Sequence, residues 1–224
     1  AADGASRSTY VMTAGKWYVE FLSNNDYIGV VSGNADITVV SGSQTVFYVS
    51  NGNKRINSTV TSYGSSYSNG DIIGIALDLD ASPQTVTFYK NNASQGALNL
   101  TDVGNEGYSV SCGSGSGSTN ATANFGQDST FSGARPAGGN QDDNGIGDFA
   151  YAPPSGFLAL CTANLPTPSI VDGSEHFHTV LWTGTSATQS ITGFNHTPEL
   201  LWTKARSNAS NHGIIDIVRG TNKL

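Results

Sequence analysis

The chain of 224 residues carries a formal net charge of −7, only 12% charged residues and 27 glycines, where about 25% charged and about 7% glycine are usual. An acidic chain without a basic stripe is a poor fit to nucleic acid, and no run of 18 apolar residues is present to cross a membrane as a helix. What takes the place of charge is Ser, Thr, Asn and Gly, giving a hydroxyl and amide surface of a kind common on extracellular and virion β-proteins.

The N-terminus, AADGASRSTYVM, has no charged region followed by an apolar one and so does not read as a secretory signal. It also lacks an initiator Met, which suggests processing or a longer parent chain. Convincing helical periodicity is absent, and strand patterns recur between Gly/Ser/Asn clusters. GKWYVEFLS alternates, with Trp17, Val19 and Phe21 on one face and Tyr18 and Glu20 on the other. DYIGVVSG follows a turn at 24–26, and QTVFYVSNG ends in the turn dipeptide Asn51-Gly52. The polar NKRINSTVTSYGSSYSNG reads as a short strand and a loop.

The stretch GDIIGIALDLDASPQTVTFYKNN reads as a hairpin. Ile73, Ile75, Leu77 and Leu79 share one face; Ile72, Gly74, Ala76 and Asp78 share the other, which is mostly small and open to close approach by another layer. Asp80 and Pro83 mark the turn. Val86 and Phe88 then face one way, Thr85, Thr87 and Tyr89 the other, and Asn91-Asn92 begins the next turn. EGYSVSCGSG and NATANFGQ add two further strands. Residues 132–148, SGARPAGGNQDDNGIGD, form a long Gly-rich loop of a length that is usually functional or mobile.

GFLALCTANLP closes this part, and the prolines of LPTPSIVDG make residues 166–173 a linker. Residues 174–224 then hold strand patterns in FHTVLWTG, QSITGF, ELLWTKAR and GIIDIVRG. So short a segment does not make an independent sandwich, so it reads as the N-terminal part of a second β-domain. The expected fold class is all-β: an antiparallel sandwich over residues 1–165, followed by an incomplete second β-sandwich.

No chemical motif stands out. Cys112 and Cys161 are too few for a disulfide framework and read as buried free thiols. His176 and His178 share a strand face beside Glu175 but lack further ligands. Asp142 and Asp143, with Asn140 and Asn144, offer oxygens without EF-hand spacing. Glu20, Asp78 and Glu106 are scattered and sit in no glycosidase motif, and there is no GxSxG. No catalytic residue, metal site or cofactor is therefore assigned. Lys204, Arg206, Asp216 and Arg219 read as salt bridges bracing a turn. The best ligand-binding candidates are Tyr63 and Tyr67 in TSYGSSYSNG, because Tyr joins an apolar face to a polar edge, a combination suited to sugars.

Together, GKWYVEF, DYIGVVSG, GDIIGIALDLD with TVTFYKNN, ATANFGQ and PPSGFLALCTANLP resemble the SPRY-domain family in order and spacing over roughly residues 1–165, with the front of the family pattern cut short. The continuation through TGFNHTPELLWTKARS and IIDIVRGTNKL is similar to structural proteins of tailed bacteriophages, with Asn195, His196 and Glu199 departing from the commonest forms. The resemblance implies a non-enzymatic binding or scaffolding module on a virion, in a tail fibre or appendage, serving assembly and host attachment. Its implied partners are other virion proteins, copies of itself in a homo-oligomer, and a host surface glycan or protein. A secreted carbohydrate-binding module or part of a glycan depolymerase is one alternative, and a capsid decoration protein another.

Overall fold

The computed structural model describes residues 4–24, 27–36, 42–115 and 121–219. The chain divides into two compact units, residues 1–165 and 166–224.

The strands of the first unit, in chain order, begin with β1 (Gly4–Arg7), β2 (Lys16–Leu22), β3 (Tyr27–Ser32), β4 (Thr45–Val49), β5 (Asn53–Ile56) and β6 (Thr59–Ser62). They continue with β7 (Ile72–Asp78), β8 (Thr85–Lys90), β9 (Ala93–Asn99), β10 (Tyr108–Ser114), β11 (Thr122–Asn124) and β12 (Leu158–Ala159). One sheet has the order β1-β10-β3-β4-β5-β6 and the other β11-β2-β7-β8-β9. Neighbours in both are antiparallel, apart from the short β12, which joins β2 in parallel.

The period-2 alternation sets the layers. Trp17, Val19, Phe21, Ile73, Ile75, Leu77, Val86 and Phe88 point from the second sheet into a common core. Ile28, Val30, Val46, Tyr48, Tyr108 and Val110 meet them from the first. Fully burying a side chain of this size contributes roughly 1.5–3 kcal/mol, so this interface dominates the stability of the unit.

Parts of the outer faces are covered as well. Across the second sheet, Tyr18 and Ala76 pack with Phe149 and Ala159, and the Tyr18 and Phe149 rings meet edge to face at 5.2 Å. Small residues on this face permit the approach: a Cβ on Gly74 would lie 2.6 Å from the Tyr18 hydroxyl. On the first sheet, Val31, Ala35 and Phe47 are buried together, with Tyr27 edge-on to Phe47 at 6.1 Å.

The long loop at 132–148 is held by directed hydrogen bonds. Asn140 and Phe149 exchange backbone bonds at 3.1 and 2.7 Å. The Asp148 carboxylate accepts from the N–H groups of Ser129 and Gly139. Asp142 accepts from Asn144, Ile146 and Ala159 N–H groups and from the Asn164 amide. The loop therefore forms a fixed cover over the sheet.

Three elements differ from the sequence expectation. Residues 53–62 hold a hairpin of two strands, β5 and β6, where one was expected. Strand β9 was not anticipated, because ASQGALN shows little apolar alternation; it forms at the sheet edge after Asn91 and Asn92, whose φ of 46° and 69° close the tight turn from β8. At the front, β1 pairs with β10.

The second unit contains a 3-10 turn (Gly173–Glu175) and one hairpin, β13 (Leu200–Thr203) with β14 (Gly213–Asp216). Asp216 braces the turn after β14 by accepting from the Val218 and Arg219 N–H groups and pairing with the Arg219 guanidinium at 2.7 Å. The segments FHTVLWTG and QSITGF do not form strands: residues 177–184 and 189–194 have the alternation but no paired neighbour. None of the described residues in 166–219 is buried.

Candidate functional site

The outer faces are covered in part, around Tyr18 and Ala76 on the second sheet and around Val31 and Phe47 on the first, so the loops, the edge strands and the uncovered outer surface of the first unit remain for contact with another molecule. At one end of the sandwich, residues 63–71 lie beside the 50–52 turn and the Asn91-Asn92 turn. The loop is anchored along its length. Tyr63 and Gly64 donate their N–H groups to the Gly52 carbonyl, Tyr67 N–H to Ser50 and Gly70 N–H to Ser23. The Ser65 N–H donates to Gln95 Oε1 at 2.8 Å, and Lys90 Nζ donates to the Ser66 carbonyl at 2.7 Å.

Asp71 ties the far end. Its carboxylate accepts from the Ser68 N–H at 2.8 Å and the Asn91 amide at 2.7 Å, and lies 3.4 Å from Lys90 Nζ. Burial pushes this carboxyl upward, but the Ser68, Asn91 and Lys90 contacts outweigh it and hold it below the usual carboxylate range. Ser65, Ser66, Ser68, Asn69, Asn91 and Asn92 are left exposed on this frame. They make a ridge of neutral donors and acceptors whose backbone is already fixed.

The two predicted ligand residues take different places. Tyr67 is a core residue, only 4% exposed, and its hydroxyl donates to the Tyr48 carbonyl at 2.8 Å. Its ring packs edge-on against Tyr48 at 4.8 Å. The assignment of Tyr67 as a surface contact is corrected accordingly: it supports the loop from beneath. Tyr63 is half-buried, edge-on to Tyr48 and Phe88, with its hydroxyl donating to the Gly96 carbonyl and Lys54 Nζ 5.7 Å from its ring. Burial pushes the Tyr63 phenol up to about 12, so it remains a donor at neutral pH. The exposed Ser and Asn residues of the ridge were missed because no sequence pattern separates a rigid polar loop from an ordinary one.

The scattered carboxylates are not gathered into one cleft. Glu20 lies under the 138–159 cover, accepting from the Ala150 and Tyr151 N–H groups. Asp78 closes the β7–β8 turn, accepting from Asp80 and Ala81 and pairing with Lys16 at 2.9 Å. Glu106, in the β9–β10 connection, accepts from Ser32 Oγ and the Asn105 N–H. The DDNG run turns its carboxylates onto the protein: Asp142 as above, and Asp143 onto Ser155 and the Gly156 N–H. His178 stacks edge-on with Phe194, and among the described residues no cluster of three His, Cys, Asp or Glu could hold a metal. Cys112 and Cys161 are thiols outside any disulfide and half-buried, less enclosed than expected.

The SPRY domain model matches residues 16–128, half of the chain. The chain belongs to the SPRY family. A second family model, a domain of unknown function (DUF7483), matches residues 172–224. Among solved structures, the SPRY domain of human HERC1 is similar at 20% identity and a TM-score of 0.45, over 54% of this chain and 79% of that one. No curated protein matches. The ridge at 63–71 and 91–92 lies within the SPRY match, whereas residues 129–165, which cover the second sheet, lie beyond it.

Proposed function

We propose that this chain is a non-enzymatic structural protein of a bacteriophage virion, a tail-fibre or appendage component whose SPRY domain serves assembly and host attachment. The observation that carries the binding role is the ridge of Ser65, Ser66, Ser68, Asn69, Asn91 and Asn92 on a backbone anchored by Asp71, Lys90 and Gln95. Such a surface recognises through shape and neutral hydrogen bonds, and it loses little conformational freedom on binding. Its lack of charge suits a neutral glycan or a hydroxyl- and amide-rich protein surface. The virion context is supported by the likeness of the second segment to structural proteins of tailed phages.

Cryo-electron microscopy of the particle tests this reading. The expected result is the chain projecting from a tail or appendage, with residues 63–71 facing a neighbouring protein or the medium. Finding the chain outside any particle, cleaving a polysaccharide as a soluble protein, overturns it.

A further inference from the structure

The ridge at 63–71 and 91–92 is neutral on its exposed side, but one charge stands against it. Arg135 is exposed, and its guanidinium reaches over Gly70, where a Cβ would lie 2.9 Å from Nη2. Gly70 sits between the exposed Asn69 and the anchoring Asp71, so the guanidinium borders the ridge. The backbone that presents it is fixed. Phe131 is buried, Asp128 accepts from the Thr130 and Ser132 N–H groups, and the Arg135 N–H donates to the Thr130 carbonyl at 2.9 Å.

This guanidinium makes no hydrogen bond, ion pair or ring contact among the described residues. The other cations of the first unit are placed differently. Arg7 donates to the Ser32 and Gly33 carbonyls, Lys16 pairs with Asp78, Lys90 pairs with Asp71, and Lys54 lies over the Tyr63 ring. Arg55 lies within β5 with its Nε buried. Asp71, the acid beside Gly70, is already taken by Ser68, Asn91 and Lys90. A planar fork of N–H donors is therefore unused beside fixed hydroxyls and amides. The surrounding unit is acidic: Asp172, Glu175, Glu199 and Asp216 are balanced by Lys204, Arg206, Arg219 and Lys223, so the whole −7 falls on residues 1–165.

Such a fork matches a carboxylate, which it holds through two parallel bonds. The charge of the unit limits how much negative charge the ligand can bring. A densely anionic polymer would be repelled along its length. A single carboxylate at Arg135 gains its contact locally, because exposed charges further away than about 8 Å are largely screened at physiological salt. The ridge also lacks the apolar centre that protein interfaces use, since its exposed side chains are Ser and Asn. We propose that the ridge binds a glycan of mainly neutral sugars carrying isolated carboxylate sugars, with Arg135 holding the carboxylate and Ser66, Ser68, Asn69 and Asn91 meeting the hydroxyls. This inference rests on the ridge being the binding surface and adds the charge its ligand carries.

The test presents the full chain to an array of defined oligosaccharides. Each member with a uronic or nonulosonic acid is matched by its carboxyl-reduced form and by a sulfated form, and peptides with free C-termini are included. Titration calorimetry then follows the strongest binder. The acidic form should be preferred to the reduced one. Arg135→Gln should weaken the acidic form at least about tenfold and bring it level with the reduced form. Arg135→Lys, which keeps the charge without the fork, should recover part of the loss. Neither change should move the melting temperature, because the side chain holds nothing in place. Asn69→Ala should weaken both forms by the same factor. Equal binding of acidic and reduced forms, with Arg135→Gln silent and Asn69→Ala effective, overturns the proposal and leaves the ridge standing as a neutral surface. Dependence on Arg135 without any effect of Asn69→Ala puts the ligand off the ridge and overturns both. Preference for the sulfated forms or the peptide carboxylates, or binding to no glycan, overturns the proposal as well.

Discussion

Glu20, on the outer face of β2, accepts the backbone N–H of Ala150 at 2.8 Å, across 130 residues of sequence. Its other oxygen accepts the Tyr151 N–H at 2.9 Å. Tyr18 donates its hydroxyl to the same carboxyl at 3.2 Å, and the Asn124 amide approaches at 3.4 Å. One fully buried carboxyl thus joins two strands of the sheet to the segment that covers it.

Glu20→Gln tests that joint. Glutamine keeps the volume but turns an amide NH₂ toward one of the two backbone donors, leaving a buried N–H without an acceptor. The expected cost is roughly 1–3 kcal/mol. Chemical denaturation measures it, and hydrogen exchange should show faster exchange around residues 138–151 with the inner strands little changed. Uniformly unchanged exchange would show that the cover is held by its other contacts.

The inner layer of this fold was legible because its chemistry repeats at every second residue. Trp17, Val19 and Phe21 pointed inward as their alternation required, and the small pair Gly74 and Ala76 marked where something would come close. What came close, Phe149 and Ala159, was not readable: it depends on Glu20 finding N–H donors in a Gly-rich loop far along the chain. Strand β9 was hidden because an edge strand with both faces largely in water needs no apolar rhythm. Residues 177–184 failed in the opposite way. Their rhythm describes a strand that could pair, and pairing also requires a neighbour. Tyr67 was misplaced because its ring is drawn under the loop by Tyr48, a contact between elements that local spacing does not encode.

Acidification should act on the cover with two opposite signs. Burial holds the Glu20 carboxyl above its ordinary value, with the Ala150 and Tyr151 N–H groups opposing it only in part. Between the unfolded value near 4.3 and that raised value the folded chain holds more protons, so this group's contribution improves as pH falls through the window. The Thr130 hydroxyl holds Asp128 low and the Ser129 hydroxyl holds Asp148 low. For Asp142, burial pushes upward but is outweighed by the Ala159 and Ile146 N–H groups, so it is low as well. Their stabilisation is fully present above about pH 4 and is lost as pH drops through their folded values. Stability followed by urea denaturation should therefore fall steeply only below about pH 4, and Glu20→Gln should remove the gain above it. A decline beginning near pH 6 in the wild-type chain would contradict these assignments.

Gly29→Ala should be among the most damaging single changes in the first sheet. A Cβ there would lie 1.9 Å from the Val46 carbonyl oxygen and 2.8 Å from Phe47 Cα, both backbone atoms of the paired strand β4. Neither can rotate aside, so the strands must separate. Overpacking of this kind costs roughly 1–3 kcal/mol and sometimes more. The melting temperature should fall accordingly; a shift within error would mean that β3 and β4 move apart freely.

Tyr67 and Asn69 separate support from recognition in the same loop. Tyr67→Phe removes one hydrogen bond to the Tyr48 carbonyl, which is also paired in the β3–β4 ladder, and should cost roughly 0.5–1.5 kcal/mol, while Tyr67→Ala opens a core cavity and should cost roughly 3–5 kcal/mol. Any binding by the ridge should weaken with them, because the loop loses its floor. Asn69 is exposed and anchors nothing, so Asn69→Ala should leave stability within about 0.5 kcal/mol while it lowers retention on intact particles or on a glycan array. Thermal melts and a binding assay on the three variants give a clear division. Equal binding loss per unit of stability lost in all three would mean that the ridge contributes through folding alone, and the contact surface would then have to lie elsewhere on the SPRY domain.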